Sequence, residues 1–577
     1  MAASLDDPSG IFMFSAAPVP IASRPLTLGS HALRFDVWGV WAVVFAALVA
    51  IPILVVLGSL LMPFTDAWAH LAATVLPRYV ANSVWLMLGV GLGVVLLGVP
   101  TAWLVTMTRF PGVRIFEWAL ILPLASPAYV IGYTYTGLLD YVGPVQSTLR
   151  AVFGWSAGDY WFPDMRSLGG AIIVMTLVFY PYVYLLARAA FLNQSVCALE
   201  ASRTLGRTAW QSFAHVALPL ARPAIVGGVA LALMETLSDF GTVQYFGVDT
   251  FTTGIYRTWL GIGEPVAALQ LAAILLVFVF AVLLLEQWSR GEQRYHHTSR
   301  YYRRLPTYPL HGMRAGSAWV ICAFPVAFGF LVPAAALAVW TVENAALALD
   351  PGFHQLLSNT LILAAGGAAT TILAAVLLAY ALRLRGSMLV RAAARMATLG
   401  YAIPGAVVAV GILLPCVWLD NWIDAAARGL FGVGTGLLLS GTLVAVIFAY
   451  LVRFLAVAFN PIEAGLGRIT LSMDGAARVL GASPAATLMR VHAPLMAGSV
   501  LTTAILVLVE VIKELPATLL MRPFNFDTLA IRTYQLAADE RLAEAALPSL
   551  TIVAVGIVPV ILLSLAIARS RPGDAGA

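Results

Sequence analysis

Apolar runs of about 20 residues or more recur from one end of this 577-residue chain to the other, and no other feature restricts its fold as tightly. A run of that length crosses roughly 30 Å of hydrocarbon as a helix, the one open-chain conformation that satisfies every backbone polar group internally. Such segments sit near 36–62, 79–108, 114–140, 168–192, 221–244 and 264–288, then near 317–340, 359–382, 394–418, 434–458, 496–520 and 546–568. With 61% hydrophobic and 11% charged residues, no stretch of soluble-domain size is left over. The expected fold is an all-α polytopic membrane protein of about twelve transmembrane helices.

The formal charge of +5 comes from arginines in short loops between the apolar runs rather than from one face or tail, which argues against nucleic acid as a partner. With the N-terminus cytoplasmic, Arg109 and Arg114, Arg188, Arg203, Arg207 and Arg222, the 290–314 cluster, Arg383 to Arg395, Arg453, Arg468, Arg478 and Arg490, and Arg569 and Arg571 all fall inside. The positive-inside rule then predicts that both termini are cytoplasmic. Trp68, Tyr79, Tyr160, Trp161, Trp418 and Trp422 fall near the outer interface, where an aromatic belt is expected. Residues 1–35 lack a basic region followed by an apolar one and read as a retained cytoplasmic tail rather than a cleaved signal. Cys197, Cys322 and Cys416 have neither zinc-site nor redox spacing and read as packing residues.

The chain repeats itself. Asn82 and Asn359, and Pro127 and Pro404, are 277 residues apart; Gly206 and Gly481, Pro219 and Pro494, Glu235 and Glu510, Asp239 and Glu514, and Arg257 and Arg532 are 275 apart. Two halves, 36–288 and 317–570, with an even number of spans each, cross the membrane in the same sense, as parallel 6-helix repeats. A hydrophilic cytoplasmic linker, 289–316, joins them. It is either solvated or laid on anionic lipid headgroups by its basic and aromatic residues.

Within each repeat a polar interruption recurs: "RTLGRTAWQSFAHVALPL" from Arg203 and "RVLGASPAATLMRVHAPL" from Arg478. In the first, Gly206 closes a short helix, Thr208 caps the next, and Gln211 completes a capping box. In the second, Ser483 is the cap and Pro484 takes the favoured first helical position. Each second helix runs about ten residues, roughly 15 Å, to Pro219 or Pro494, which opens the next span. Trp210, Phe213 and Ala217, and Ala485, Leu488 and His492, fall on one stripe at helical spacing. Lying in the lipid interface is the lesser alternative for a single copy; two copies on a two-fold scaffold match a partner that is itself a symmetric dimer.

"EASRTLGRTAWQSFAHVALPL", with Glu200, Ala201, Gly206 and Pro219, resembles the cytoplasmic coupling-loop signature of binding-protein-dependent ABC importer permeases. "DFGTVQYFGVDTFTTGIYRTW" and "KELPATLLMRPFNFDTLAIRTYQLAADERLAEAALPSL" resemble the corresponding segments of fused iron(III) importer permeases, while permeases for thiamine, polyamines or phosphonates share the architecture. The resemblance implies the type I importer permease fold in the inner membrane. It implies a cytoplasmic ATPase dimer docked on residues 200–219 and 475–494, and an external solute-binding protein that delivers the cargo. The coupling residues it points to are Glu200, Ala201, Gly206, Thr208, Trp210, Phe213 and Pro219, and Asp474, Ala476, Gly481, Ser483, Leu488 and Pro494. The second copy departs from the signature: Gly475 stands at the Glu200 position with Asp474 one place earlier, and Ala493-Pro494 replaces Leu-Pro.

Lys513, the one lysine in the chain, adjoins Glu514 in an apolar run, and Glu510 can pair with it at i,i+3; Glu235 and Asp239 are the matching first-half acids. Charges at that depth cost about 2.5–3.5 kcal/mol on insertion scales and therefore face a partner or a wet cavity. Counted from residue 497, they lie about 20–25 Å along the span, where they form either a gate on the translocation path or a structural ion pair. Tyr129, Tyr133, Tyr135, Tyr180, Tyr182 and Tyr184 read first as packing residues and second as hard oxygen donors for a ferric ion.

No P-loop motif is present, so this chain binds no cofactor and ATP belongs to a partner; the chain reads as a permease and not an enzyme. No HExxH, Ser/His/Asp set or metal-ligand cluster supports a membrane enzyme. An ion-coupled secondary transporter would share the parallel halves but leave the paired Gly/Pro loops unexplained.

Overall fold

A computed structural model describes residues 37–156, 158–192, 202, 204–290 and 307–569. The 1–35 tail and most of the 289–316 linker lie outside the described residues. Ten described helices are long and apolar enough to span a bilayer, and two further runs pass only as bent pairs. The first half comprises α1 (Val37–Gly58), α2 (Leu76–Met107), α3 (Ala128–Leu139), α4 (Leu168–Leu192), α5 (Leu218–Ser238) and α6 (Pro265–Arg290). The second comprises α7 (Met313–Val326, continued by Val332–Glu343), α8 (Pro351–Leu384), α9 (Gly405–Phe431), α10 (Leu443–Gly467), α11 (Ala497–Lys513) and α12 (Leu542–Arg569).

Four of these elements differ from the apolar runs in the sequence. The runs at 114–140 and 394–418 are split, because Pro127 and Pro404 are extended and cap α3 and α9. Proline lacks the N–H that would continue the preceding helix and disfavours helical backbone just before it. Short helices, Val113–Ala119 and Met388–Thr398, precede these breaks. The runs at 221–244 and 496–520 also end early. Asp239 and Glu514 turn extended, and new short helices, Gly241–Tyr245 and Pro516–Met521, follow.

The first half is built around a glycine-lined contact. Val183 of α4 fits between Gly98 of α2 and Gly228 of α5; a Cβ on either glycine would meet it at 2.8 and 2.7 Å. Small residues permit such backbone approach in lipid, where packing rather than water expulsion drives helix association. Asn82 and Asn359 do the same work in their halves, donating through Nδ2 to the carbonyls of Asp249 (2.8 Å) and Asp527 (3.0 Å).

The first helix of each half crosses to the other. α1 packs on α6 of its own half but on α8, α9 and Met388–Thr398 of the second, and α7 packs on α12 but also on α2, α3 and α4 of the first. Glycine again sets the contact: a Cβ on Gly411 would lie 2.6 Å from the Pro52 carbonyl oxygen, and one on Gly329 would lie 2.7 Å from that of Leu177. A two-residue parallel pairing of Thr108–Arg109 with Tyr308–Pro309 ties the chain entering the second half to the end of α2. Of the aromatic belt, Trp161, Trp418 and Trp422 are exposed, whereas Tyr79 is buried against Phe251 and Gly254 and belongs to the core.

Three of the six clustered tyrosines fasten helices together. Tyr133 donates to Ser549 Oγ of α12 (2.5 Å), Tyr135 to the Phe328 carbonyl in α7, and Tyr184 to the Glu117 carbonyl (2.9 Å).

Candidate functional site

The two polar interruptions fold alike. Gly206 and Gly481 adopt φ of +82° and +76°, the left-handed conformation that other L-residues rarely hold. The turn is closed the same way in both, by Arg207 N–H on the Ser202 carbonyl (3.2 Å) and Ala482 N–H on that of Ala477 (3.0 Å). Next comes the cap. Gln211 N–H donates to Thr208 Oγ1 (3.3 Å) and Thr208 N–H to Gln211 Oε1 (3.0 Å), a reciprocal capping box, while Ser483 Oγ accepts from Ala486 N–H (3.2 Å). Each short helix then widens into a π-helical turn, Phe213–Ala217 or Leu488–His492.

Beyond that point the copies diverge. Phe213 through Ser238 form one continuous helix, so Pro219 does not open a separate span. In the second copy Pro484–Leu495 meets α11 at 78°, with the break at Met496. Glu200 and Ala201, and the side chain of Trp210, lie outside the described residues.

The apolar stripe faces inward except at Ala485, which is exposed. Phe213 and Leu488 are each 7% exposed, and Ala217 and His492 are fully buried. Phe213 packs on Trp103 of α2 (ring centroids 4.6 Å apart), and His492 on Tyr380 of α8 (5.5 Å). Trp103 and Tyr380 stand 277 residues apart, so the same repeat position holds both loops. Phe213 and Leu488 therefore glue each loop to its own spans instead of meeting a partner. Asp474 is turned inward as well, onto Arg383 (2.9 Å) and His492 (2.6 Å). Ala476, Ser483, Pro219 and Pro494 are exposed, and the residues directly before the two glycine turns, Leu205 and Leu480, are 82% and 85% exposed.

A second polar set joins the halves inside the helix bundle. Arg453 of α10 donates to Glu514 Oε1 (2.9 Å) and reaches across to Ser238 Oγ of α5 (3.2 Å). It lies directly against Gly405, where a Cβ would sit 2.1 Å from Nη1. Lys513 Nζ pairs with Glu510 Oε1 at 3.0 Å. Glu235 accepts from Tyr401 Oη (3.4 Å) and interacts electrostatically with Arg453, Glu510 and Lys513; Tyr182 lies beside Tyr401. Asp239 and Glu514 have a further task. Asp239 Oδ1 accepts from Thr242 and Val243 N–H (2.9 and 3.2 Å), and Glu514 accepts from Ala517 and Thr518 N–H (2.8 and 2.9 Å). Each carboxylate caps the short helix after its broken span, where the helix dipole favours negative charge.

No family model matches the chain. It is 27% identical over 490 residues to the Fe(3+)-transport system permease protein FbpB 2 of Haemophilus influenzae, covering 84% of this chain and 88% of that protein. It is 24% identical over 553 residues to the probable ABC transporter permease protein y4fN of Sinorhizobium fredii, covering 89% and 92%. The molybdenum transport system permease protein ModB of Haemophilus influenzae is 30% identical over 200 residues, 33% of this chain but 83% of ModB. The chain belongs to the ABC-transporter permease family. This permease has the length of a fused form: a third of it matches 83% of ModB, and 84–89% of it matches 88–92% of the longer relatives.

Sequence reasoning on the permease missed Arg453, Tyr401, Arg383 and the two projecting leucines. Arg453 and Arg383 sit near the ends of apolar runs, where arginine usually marks a loop, and only the helix packing shows them turned inward. The leucines carried a signal, since Leu205 and Leu480 are 275 apart and each directly precedes its glycine.

Proposed function

We propose that the permease forms the translocation path of an inner-membrane importer for ferric iron, with both termini cytoplasmic. A solute-binding protein delivers the ion from outside, and a separate ATPase dimer, which carries the ATP, docks on the two repeated loops. The observation that carries the docking role is the pair of exposed leucines, Leu205 and Leu480, beside matching left-handed glycine turns. Two equal apolar knobs on a two-fold scaffold suit a dimeric partner with two equal grooves.

Two arguments favour ferric iron as cargo. The relative named for Fe(3+) is matched across both halves, whereas ModB is matched over one. The polar set between the halves also suits a hard cation: four carboxylates, Glu235, Asp239, Glu510 and Glu514, outnumber two cations, Arg453 and Lys513. Carboxylate oxygens such as those of Glu235 and Glu510, with the Tyr182 and Tyr401 phenols beside them, match ferric iron, and the carboxylates would repel an oxyanion such as molybdate. Glu235 and Glu510 act here as the gate, Lys513 and Arg453 limit how tightly the ion is held, and Asp239 and Glu514 position the short helices beside it. Weak holding is required, because an ion bound too tightly in a path is not released.

The test is uptake of radiolabelled ferric iron by iron-starved cells lacking the gene, with and without its restoration and with the ATPase partner intact. Restored, energy-dependent uptake that excess molybdate or sulfate does not compete away supports the reading. Failure to restore iron uptake with the protein present in the membrane would move the cargo to thiamine, polyamine or phosphonate.

A further inference from the structure

The second loop contains a chain of buried polar contacts whose ionisable members have no ionisable counterpart at the same repeat positions of the first. Asp474, in the helix Leu471–Val479, is 7% exposed, and both its oxygens are taken. Oδ2 accepts from Arg383 Nε at 2.9 Å, with Nη2 also at 2.9 Å, so the guanidinium meets it as a fork. Oδ1 accepts from His492 Nε2 at 2.6 Å. Arg383 donates further to the carbonyls of Leu466 (2.5 Å) and Ile469 (2.8 Å), at the end of α10. Behind His492 stands Tyr380, whose hydroxyl donates to the Pro484 carbonyl (2.8 Å) and whose ring meets Trp38 of α1 edge-on, 5.3 Å between centroids. The start of the short helix, its π-helical turn, α8, α10 and the exchanged α1 are thus joined through four side chains.

The repeat shows what the first loop has instead. Arg383, Asp474 and His492 correspond to Thr106, Leu199 and Ala217, none of them ionisable. Among the described residues the first loop rests on Phe213 against Trp103 and Phe191, and on a Ser202–Ser212 contact of 2.9 Å. Apolar contacts slide where a forked ion pair with about a tenth of each side chain exposed does not, since breaking the pair strands charge largely out of water.

We propose that Arg383, Asp474, His492 and Tyr380 are positioning residues that brace the second coupling loop rigidly to α8 and α1. The two loops are then unequal transmitters, and the partner's stroke enters the spans chiefly through the second. The proposal rests on the reading of these loops as the ATPase docking surface. It also gives Asp474 an internal task, although its place beside the missing signature glutamate suggests a contact residue.

Hydrogen exchange on the purified wild-type chain, read by mass spectrometry, tests the brace without any substitution. Amides of 485–492 are expected to exchange about tenfold or more slowly than those of 210–217. His492→Ala and Asp474→Asn should then erase that difference. In vesicles holding the chain with its ATPase, they should lower transport per ATP hydrolysed by about tenfold while hydrolysis continues, and Arg383→Lys, which keeps the charge but loses the fork, should fall between. Equal exchange in the two wild-type loops would overturn the brace, whether or not the variants fold. A parallel fall of transport and hydrolysis would reduce these residues to a structural role and overturn the transmission. Failure of the ATPase to bind the wild-type chain would overturn the docking reading, and the transmission with it, leaving the exchange comparison to judge the brace alone.

Discussion

Asp239 and Glu514, 275 residues apart, each turn a carboxylate onto the first backbone N–H groups of the short helix that follows a broken span. The two differ in what else depends on them. Both also accept from the following threonine hydroxyl, Thr242 or Thr518, but Glu514 in addition neutralises Arg453, with 1% of its side chain and 13% of that of Arg453 exposed. Asp239→Ala is therefore expected to cost about 0.5–2 kcal/mol, the worth of a helix cap. Glu514→Ala should cost about 3–5 kcal/mol, because it leaves a buried guanidinium uncompensated. Thermal unfolding in detergent, followed by tryptophan fluorescence, orders the two, and an equal loss would show that Arg453 does not rely on Glu514.

The projecting leucines give a direct test of docking. Leu205→Asp with Leu480→Asp puts charge on both knobs without disturbing either buried loop contact. Membrane levels of the protein should stay unchanged while co-purification of the ATPase is lost. Retained co-purification would move the docking surface elsewhere.

The glycine turns should be intolerant for a different reason. Proline is confined to φ near −65°, against +82° and +76° at Gly206 and Gly481, so Gly206→Pro with Gly481→Pro must refold both turns. Because both turns are solvent-facing, the spans should still assemble, and the loss should appear as absent transport and absent coupling of hydrolysis to cargo. Normal uptake by the double variant would remove the loops from the mechanism.

In the polar set between the halves, Glu235→Gln with Glu510→Gln removes two negative charges and keeps the shapes. Ferric uptake should fall at least about tenfold, while complex formation with the ATPase is retained. Uptake that survives both changes would reduce the acids to structural partners of Lys513 and Tyr401.

Local sequence carried local geometry. The Glu510–Lys513 pair, the Thr208–Gln211 box and the Ser483 cap were legible because each is settled within four residues. Pro127 and Pro404 were legible as repeat landmarks but not as breaks, since an apolar run reads the same on either side of a proline. The stripe through Phe213 and Leu488 showed that one face of each helix is apolar, yet periodicity names a face and not the neighbour it meets. Trp103 and Tyr380, more than 100 residues upstream in sequence, decided that. Arg453 was hidden for the same reason: its partners, Glu514 and Ser238, lie 61 and 215 residues away. The exchange of α1 and α7 left no trace in hydropathy, because a helix apolar all round is compatible with any apolar neighbour.

That exchange sets a timetable for biogenesis. α1 is complete at Gly58, but its close contact at Gly411 belongs to α9, which begins at Gly405, about 350 residues later. At about 5–20 residues per second, the ribosome takes roughly 20–70 s to supply that partner. Through that interval α1 stands in the bilayer with its eventual seat unmade, and the first half can close only when the second arrives. Having both halves on one polypeptide means that the seat α1 awaits is always the one its own ribosome is making.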